Sequence, residues 1–269
     1  MSHAKIIEFA DDTVLYVSSK HFEVIENELN SDLKQLAQYF PDNHLVINLK
    51  KGKSESMLFG TAKRLSSSNA KLNLYYNHTQ IASTTSYKYL GTLLDSTLSL
   101  NGDFDKTYKK ASGKLRLLSS LKNRLDPYTI KRIYTGIILP TLLYNCVVNL
   151  RLTQTQLQKL ISLDKRVSKL IGGHVPSIAN ERLKHAALLV RKCLDENVCE
   201  NFHGYFSRNI HRVSTRNNGL TLHVPRVKLE VANASFFSMG VRIFNSLPIE
   251  IRQVDDFNGF RKLCRAHFE

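Results

Sequence analysis

The architecture of the N-terminal region is decided by residues 5–18, which read KIIEFADDTVLYVS. Two β-rich runs, at 5–9 and 13–18, flank Ala10, Asp11 and Asp12. Short β-rich runs on both sides of a short polar link are typical of a tight hairpin. The sequence therefore predicts a β-hairpin that carries two adjacent carboxylates at its turn.

Asp11 and Asp12 are candidate metal ligands. Adjacent carboxylates repel each other as anions, and a shared cation relieves that repulsion. Mg²⁺ prefers hard oxygen ligands and keeps water molecules that a substrate phosphate can displace, so the pair would form half of a phosphoryl-transfer site. An ordinary polar turn is the alternative, because Asp is common in turns.

The rest of the N-terminal third is predicted to mix one helix with further strands. Apolar residues recur at helical spacing over 21–40, which predicts an amphipathic helix ending at Pro41. Short β-rich runs follow, and the first two of them are expected to form a second hairpin. These runs are residues 44–49, 56–60, 72–76, 79–82 and 87–94.

Helical patterns replace strand patterns from about residue 97, and a change of this kind usually marks a domain boundary. The sequence therefore predicts an α+β fold with domains at 1–97, 98–150 and 151–269. The principal helices are expected over residues 104–125, 127–150 with a bend or break at Pro140, 154–171, 178–190, 193–211, 235–245 and 256–268.

Composition and charge favour a globular protein with a polyanionic partner. The chain has 269 residues, 42% of them hydrophobic, and 38 Lys+Arg against 23 Asp+Glu, a net charge of +15. Residues 1–60 carry a net −3 and residues 61–269 a net +18. Such an asymmetry suits nucleic acid, because neutralising phosphates releases counterions, although a merely basic soluble protein is the alternative.

The sequence shows neither a secretion signal nor a cysteine pattern typical of secreted proteins. No apolar run reaches the ~20 residues that span a bilayer, and the first residues lack the pattern of a signal peptide. We therefore expect the cytoplasm or the nucleus as the location. The four cysteines are few and irregularly spaced, so we expect reduced thiols.

Residues 101–132 are a candidate nucleic-acid surface. They contain nine Lys/Arg and three Asp/Glu, and a helix with a basic face can follow a phosphate backbone without reading sequence. Tyr108, Tyr128 and Tyr134 would then stack or pack against sugar. The alternative is a solvated basic face with its tyrosines in the core. The candidate contacts are Lys106, Lys109, Lys110, Lys114 and Arg116.

A zinc site formed by Cys193, Cys199, His203 and His211 is a weaker hypothesis. Zinc ligands usually come in closely spaced pairs, whereas the intervals here are five, three and seven residues. Buried cysteines explain the pattern better.

The motifs resemble, in order, those of a non-LTR (LINE-type) retrotransposon reverse transcriptase. FADDTVLY at 9–16 is similar to the Tyr-Ala-Asp-Asp polymerase motif, HLVINLKKGKSESMLFG at 44–60 to the following motif, and YKYLGTLLD at 87–95 to the turn that grips the primer. The resemblance continues through 109–124, 134–146, 245–252 and 256–268, and so covers nearly the whole chain. It implies a partial polymerase palm at 1–97, a helical thumb at 98–150 and a connection-like helical domain at 151–269.

The resemblance also implies roles for particular residues. Asp11 would bind catalytic Mg²⁺ with help from Asp12, and Lys53 would protonate the pyrophosphate leaving group, with Lys50 and Lys51 as alternatives. Leu90 and Gly91 would form the primer-grip turn, where glycine lets a backbone approach closely. The partners implied are an RNA template and a DNA primer, and the reaction is Mg²⁺-dependent nucleotidyl transfer.

One departure from the family bears on activity. The family uses a third metal-binding Asp and nucleotide-binding fingers, all of which precede the Asp-Asp motif, whereas this sequence begins eight residues before Phe9-Ala10-Asp11-Asp12. Phe9 also replaces the commoner Tyr. Because a two-metal displacement needs that ligand, the polypeptide alone is expected to be inactive. The alternatives are a non-catalytic RNA/DNA-binding module and a decayed relic.

Overall fold

The computed structural model describes residues 4–68, 71–195, 198, 200–208 and 220–269. Helices and small sheets occur together, in agreement with the α+β class predicted from sequence. The chain divides into two compact units, Met1–Gly102 and Asp103–Glu269, here called the first and second unit. The second unit begins at Asp103, so it contains all but the first five residues of the thumb expected at 98–150, together with the domain expected at 151–269.

The first unit starts with the expected hairpin and helix. Strands β1 (Lys5–Phe9) and β2 (Asp12–Tyr16) pair antiparallel, with Phe9 opposite Asp12. Helix α1 spans Phe22–Asp42 and buries an apolar stripe against the unit's core. Asp32, fully buried on this helix, accepts a 2.6 Å hydrogen bond from the main-chain N of Ala4 and so holds the start of the hairpin on α1.

The remaining strands of the first unit are short. They are β3 (Glu55–Ser56), β4 (Tyr75–Tyr76), β5 (Thr79–Gln80), β6 (Ala82–Ser83), β7 (Ser86–Tyr89) and β8 (Thr92–Asp95), and α2 (Ala62–Ser68) follows β3. In the described part of the unit they form two-stranded sheets: β3 with β6 in parallel, and β4–β5 and β7–β8 as antiparallel hairpins. The core cluster is small, consisting of Leu29, Leu33, Leu36, Leu72, Leu74, Tyr76 and Ile81.

The predicted hairpin of residues 44–49 and 56–60 is wrong. Residues 44–49 form no strand, and Val46 is 93% exposed. Ser56 pairs instead with Ser83, twenty-seven residues away along the chain. Local β propensity reports how well a residue fits a pleated surface, but it does not choose the partner strand.

The second unit is mainly helical. Helix α3 (Asn101–Ser120) enters it, and two segments, α4 (Pro127–Ile133) and α5 (Leu139–Leu143), are joined by a π-helical turn at Tyr134–Ile138. The rest are α6 (Gln154–Ile171), α7 (Ile178–Leu194), a 3₁₀ turn (Glu200–Phe202), α8 (Glu230–Ala234), α9 (Phe236–Ser246), α10 (Ile249–Arg252) and α11 (Phe257–Phe268). No described helix is both long enough and apolar enough to cross a membrane.

Three helix predictions in this unit differ from the structure. The helix expected over 127–150 with a bend or break at Pro140 ends at Leu143, and its interruption is the π-helical turn, which precedes Pro140. The helix expected over 104–125 ends at Ser120, where bonds such as Arg124 N to Leu121 O tighten the chain into turns. The helix expected over 193–211 does not form in the described residues, because α7 extends to Leu194 and residues 203–208 are not helical. Residues 196–197, 199 and 209–219 lie outside the described part of the chain.

Helix ends follow from local chemistry. Asp126 accepts a 3.0 Å bond from Thr129 N and precedes Pro127, so α4 has an N-cap and a proline in its first turn. Gly172, with φ 73°, ends α6 in the left-handed conformation, as the Gly-Gly pair in the sequence predicts. Asp256 caps α11 through Gly259 N at 2.6 Å.

The described residues of the second unit form two apolar clusters, each with fifteen buried members. The α3–α6 cluster contains residues such as Leu115, Tyr134 and Leu163, and also takes in Ile178 at the start of α7. The C-terminal cluster contains residues such as Val190, Phe244 and Phe260 from α7, α9 and α11. These clusters give the second unit a core of its own.

Candidate active site and nucleic-acid surface

The hairpin turn places Asp11 and Asp12 at an exposed tip. Phe9 and Asp12 are the last paired residues, so Ala10 and Asp11 form a two-residue turn, with Ala10 at φ 53°. Both carboxylates are exposed, and neither accepts a hydrogen bond or an ion pair from a described residue. Their oxygens are therefore available to a cation.

One face of this hairpin is apolar as well as acidic. Directly paired residues point to the same face of an antiparallel pair, so Phe9 lies beside Asp12, and Ile7 and Tyr16 share that face by alternation. Phe9 is 62% exposed, and Ile7 and Tyr16 are also exposed. The opposite face contributes Leu15 to the core of the first unit.

Tyr87, in the third motif, contacts the lysine loop of the second motif. Its hydroxyl donates a 2.7 Å hydrogen bond to the carbonyl oxygen of Lys53. Partial burial raises the pKa of Tyr87, and the negative charges of Asp12 and Glu55 raise it further. One side chain thus contacts the lysine loop, belongs to the third motif and lies within electrostatic range of the Asp-Asp turn.

Lys53 is held through its main chain. Lys53 N bonds Lys50 O at 3.0 Å to close a turn, and Gly52, with φ 82°, donates its N–H to Glu55 Oε1 at 2.9 Å. The side chains of Lys50, Lys51 and Lys53 are all exposed. The structure therefore fixes where the loop lies and leaves three ammonium groups facing solvent.

Leu90 and Gly91 form the turn of the β7–β8 hairpin. Tyr89 pairs with Thr92, and the two turn residues have φ 45° and 86°. Positive φ at both central positions is the pattern of a type I′ turn. A bulky Leu is unusual there, because left-handed backbone brings its Cβ close to the following carbonyl.

The donor set of the Asp-Asp turn suits magnesium but is small. Mg²⁺ is commonly bound through one or two carboxylates together with water and phosphate oxygens. Among the described residues, no group of three Asp, Glu, His or Cys side chains lies close enough together to hold a metal ion. Asp11 and Asp12 are thus two ligands without a described third.

Helix α3 presents a basic stripe. Four of its exposed cations make no hydrogen bond or ion pair with a described residue, and three of them fall at i, i+3 and i+4 on one face. Gly113, next to this face, has nothing within 4 Å of where a Cβ would lie. The four residues, here called the α3 stripe, are Lys106, Lys109, Lys110 and Arg116.

Lys114 differs from the other predicted contacts. Its Nζ donates to Thr141 Oγ1 at 2.8 Å and to Ile137 O at 3.4 Å, so it links α3 to the segment around the π-helical turn. Lys159 and Arg166 on α6 likewise contact Asp105 and Ser112 of α3. These polar contacts fasten α3 to its neighbours and leave the α3 stripe facing outward.

The three tyrosines near α3 separate into different roles. Tyr134 is fully buried in the α3–α6 cluster, and Tyr108 stacks on Phe104 with centroids 6.1 Å apart. Tyr128 is 68% exposed, with the Arg132 guanidinium 5.7 Å from its ring centroid. Of the three, Tyr128 is the one whose ring faces solvent.

The cysteine pattern offers no site in the described residues. Cys146, Cys193 and Cys264 are buried free thiols, and burial raises the pKa of each, to about 11 for Cys146 and Cys264. His203 Nε2 lies 3.1 Å from the carbonyl oxygen of Val198. Cys199 and His211, the other members of the zinc hypothesis, lie outside the described residues.

Tyr87 is the main residue that sequence reasoning missed. It belongs to the quoted third motif, but nothing in the sequence assigns it a partner. Its contact with Lys53 spans thirty-four positions, and it is created by the fold rather than by any local pattern.

Comparison of the chain with models of protein families, with curated proteins and with solved structures found no match.

Proposed function

We propose that this chain is part of a reverse transcriptase of the non-LTR retrotransposon type. In this proposal the first unit supplies the second half of the polymerase palm, and the helices after it supply the thumb and a connection-like region. The observation that carries the proposal is the hydrogen bond from Tyr87 of the β7–β8 hairpin to the lysine loop, supported by the effect of the Asp12 charge, which raises the pKa of Tyr87. The three motifs that contain these residues follow one another in the same order in the family that the sequence resembles.

The proposed chemistry follows from the exposed groups. Asp11 and Asp12 would hold Mg²⁺. The ion would neutralise negative charge on the deoxynucleoside triphosphate and on the attacking hydroxyl of the primer. An ammonium group on the 50–53 turn, that of Lys53 foremost, would donate a proton to the departing pyrophosphate. The hydrogen bond from Tyr87 fixes the main chain of that loop, and thereby limits where the ammonium group can reach.

The substrate side of the proposal rests on the β7–β8 turn and on α3. Gly91 presents a turn without a side chain, beside which a primer backbone can lie. The α3 stripe offers uncompensated cations to the phosphates of a template–primer duplex. Phosphate contacts of this kind position nucleic acid without reading its sequence.

We also propose that this polypeptide does not extend primers by itself. Two-metal nucleotidyl transfer requires carboxylates that position both ions, and the described residues supply two adjacent ones at a hairpin tip. Addition of Mg²⁺ and deoxynucleotides should therefore give no extended product.

Metal binding at the turn is the experiment that tests the proposal. Paramagnetic Mn²⁺ at millimolar concentration should broaden the amide signals of residues 9–13 in the NMR spectrum of the full chain. The double variant Asp11→Asn/Asp12→Asn should abolish that broadening. The chain provides a matched control, Asp255→Asn/Asp256→Asn, which removes another adjacent pair of carboxylates and keeps the α11 cap, since Asn caps as well as Asp.

Two results would contradict the palm assignment: no selective broadening at the turn, or equal broadening in the Asp11/Asp12 variant. The second candidate function, a non-catalytic RNA- or DNA-binding module, is favoured by the unpartnered cations of the α3 stripe. It requires nucleic-acid binding that is unchanged in the Asp11/Asp12 variant and falls with salt.

A further inference from the structure

A second cationic site in the second unit is formed by residues that the sequence analysis did not select. A groove of about 410 Å³ opens between the irregular segment before α8, α8 itself and α9. Its volume lies within the range of small-ligand sites. It is lined by Pro225, Arg226, Val227, Lys228, Asn233 and Arg242.

The lining contains three cations and no carboxylate. Arg226 and Lys228 are exposed and make no hydrogen bond or ion pair with a described residue. Glu230, the acidic residue nearest to them along the chain, is already paired with Arg151. The positive charge of the groove is therefore not neutralised by its described surroundings.

Arg242 and Asn233 give the groove a fixed wall. Arg242 Nη2 donates a 2.6 Å hydrogen bond to Asn233 Oδ1, which is a neutral acceptor and leaves the guanidinium charge uncompensated. Because this bond uses the amide oxygen, the NH₂ group of Asn233 remains as a donor. Both residues are carried on helices, and α9 is anchored by the burial of Val241, Ile243 and Phe244.

The irregular segment adds main-chain donors. No bond from the N–H groups of Arg226, Val227 or Lys228 to a described residue is present. Free amides beside guanidinium groups are the donors that bind phosphate oxygens, and guanidinium binds them with two parallel bonds. The groove thus offers positive charge and several hydrogen-bond donors, from the main chain and from guanidinium groups, to the oxygens of a phosphate group.

We propose that this groove binds a phosphate group of a nucleic-acid backbone, at a site distinct from the α3 stripe. The choice of nucleic acid as the molecule that carries this phosphate rests on the proposed function. It agrees with the net charge of +18 of residues 61–269. The open, exposed lining favours a strand that runs across the surface. The site would strengthen binding without selecting sequence.

The test is the affinity of the full chain for a fluorescent single-stranded RNA, measured by anisotropy over a range of salt concentrations. The variant Arg226→Gln/Lys228→Gln/Arg242→Gln should weaken binding about tenfold near 0.1 M salt, and should lower the slope of log affinity against log salt by about 1 to 2. The matched control is Arg261→Gln/Lys262→Gln/Arg265→Gln, which removes the same charge from exposed positions of α11. The control should change the affinity less than twofold, and thermal melting should show that both variants are folded.

A second arm of the experiment replaces RNA with inorganic pyrophosphate or poly-glutamate. It distinguishes a nucleic-acid backbone from a small phosphate compound and from polyanions in general. Equal losses of RNA affinity in the groove and control variants would overturn the proposal, even where variants of the α3 stripe lose binding and the proposed function survives. Groove-dependent binding of pyrophosphate by a chain that binds no RNA would assign the groove to a small phosphate compound and count against both the nucleic-acid source and the proposed function. Groove-dependent binding of poly-glutamate as tight as that of RNA would show a general anion surface and overturn the phosphate assignment.

Discussion

The two units differ in how much of their apolar surface is covered. Among the described residues, the first unit has one cluster of seven buried apolar residues, whereas the second unit has two clusters of fifteen each. Three apolar side chains on the acidic face of the first hairpin, Ile7, Phe9 and Tyr16, are exposed. The proposed metal ligands, Asp11 and Asp12, thus belong to the unit with the smaller described core. The proposed phosphate contacts belong to the unit with the larger one.

Secondary structure explains part of the difference. The described sheets of the first unit have two strands each, and a two-stranded hairpin is only marginally stable in water. In the second unit several helices begin at a side-chain cap and bury one face in a large cluster. Substitutions in the two units should therefore have effects of different size and extent.

The largest effect is expected from Phe260→Ala in the C-terminal cluster. Phe260 is fully buried, stacks on Phe244 at 6.0 Å and has the Arg191 guanidinium 5.6 Å from its ring centroid. Removing the ring should lower the free energy of unfolding by about 3–5 kcal/mol, measured by chemical denaturation. Leu263→Ala, at an exposed position of the same helix, is the control and should cost less than about 1 kcal/mol; equal costs would refute the packing of α11.

Leu33→Ala in α1 should have the next largest effect. Leu33 is buried in the small cluster of the first unit, where Ala should cost about 2–3 kcal/mol. Because that cluster has few other members, we expect the amide protons of α1 to exchange freely with solvent in the variant. Val24→Ala, at an exposed position of the same helix, should leave exchange nearly unchanged. Full protection of α1 in Leu33→Ala would show that the first unit has more support than its described core provides.

The smallest change in stability is expected at the β-turns. Unlike the two core substitutions, Leu90→Asn is expected to increase stability. Leu90→Asn should stabilise the β7–β8 hairpin by about 0.5–1 kcal/mol, because Asn adopts positive φ more readily than Leu. The reciprocal change, Asn77→Leu, should destabilise the β4–β5 hairpin, since Asn77 has φ 44° in the same type of turn. Thermal melting of the two variants measures both effects. A loss of stability in Leu90→Asn would mean that the leucine side chain contributes packing that outweighs its backbone strain.

Local signals predicted the features that depend on neighbouring residues. The hairpin at 5–16, the amphipathic α1 and the exact bounds of α6 follow from period and capping, which act within a few positions. The pairing of Ser56 with Ser83 could not be predicted from such local signals. Each strand has only two residues, and nothing in so short a sequence indicates which strand it will pair with. The helix predicted over 193–211 is likewise wrong in the described residues, where α7 ends at Leu194 and residues 203–208 are not helical.

The candidate site divides in the same way. Its residue types, an Asp pair and a lysine turn, could be chosen from the sequence, since each lies within a short motif. Tyr87 could not, because its contact with Lys53 is produced by the fold. Among the predicted cations, Lys114 could not be distinguished from Lys110 by sequence, yet one is bonded to Thr141 and the other faces solvent.

The π-helical turn at Tyr134–Ile138 has a consequence for how chain length can vary. The buried residues Ile130, Tyr134, Ile138 and Leu142 recur every four positions, and in a regular α-helix that interval advances the side chains by about 40° each time. The wider π turn absorbs part of this rotation, so the buried stripe stays directed at the core. We therefore expect the loss of one residue within this turn to return it to α-helical spacing, and so to disturb the neighbouring segments less than the same loss from an uninterrupted helix.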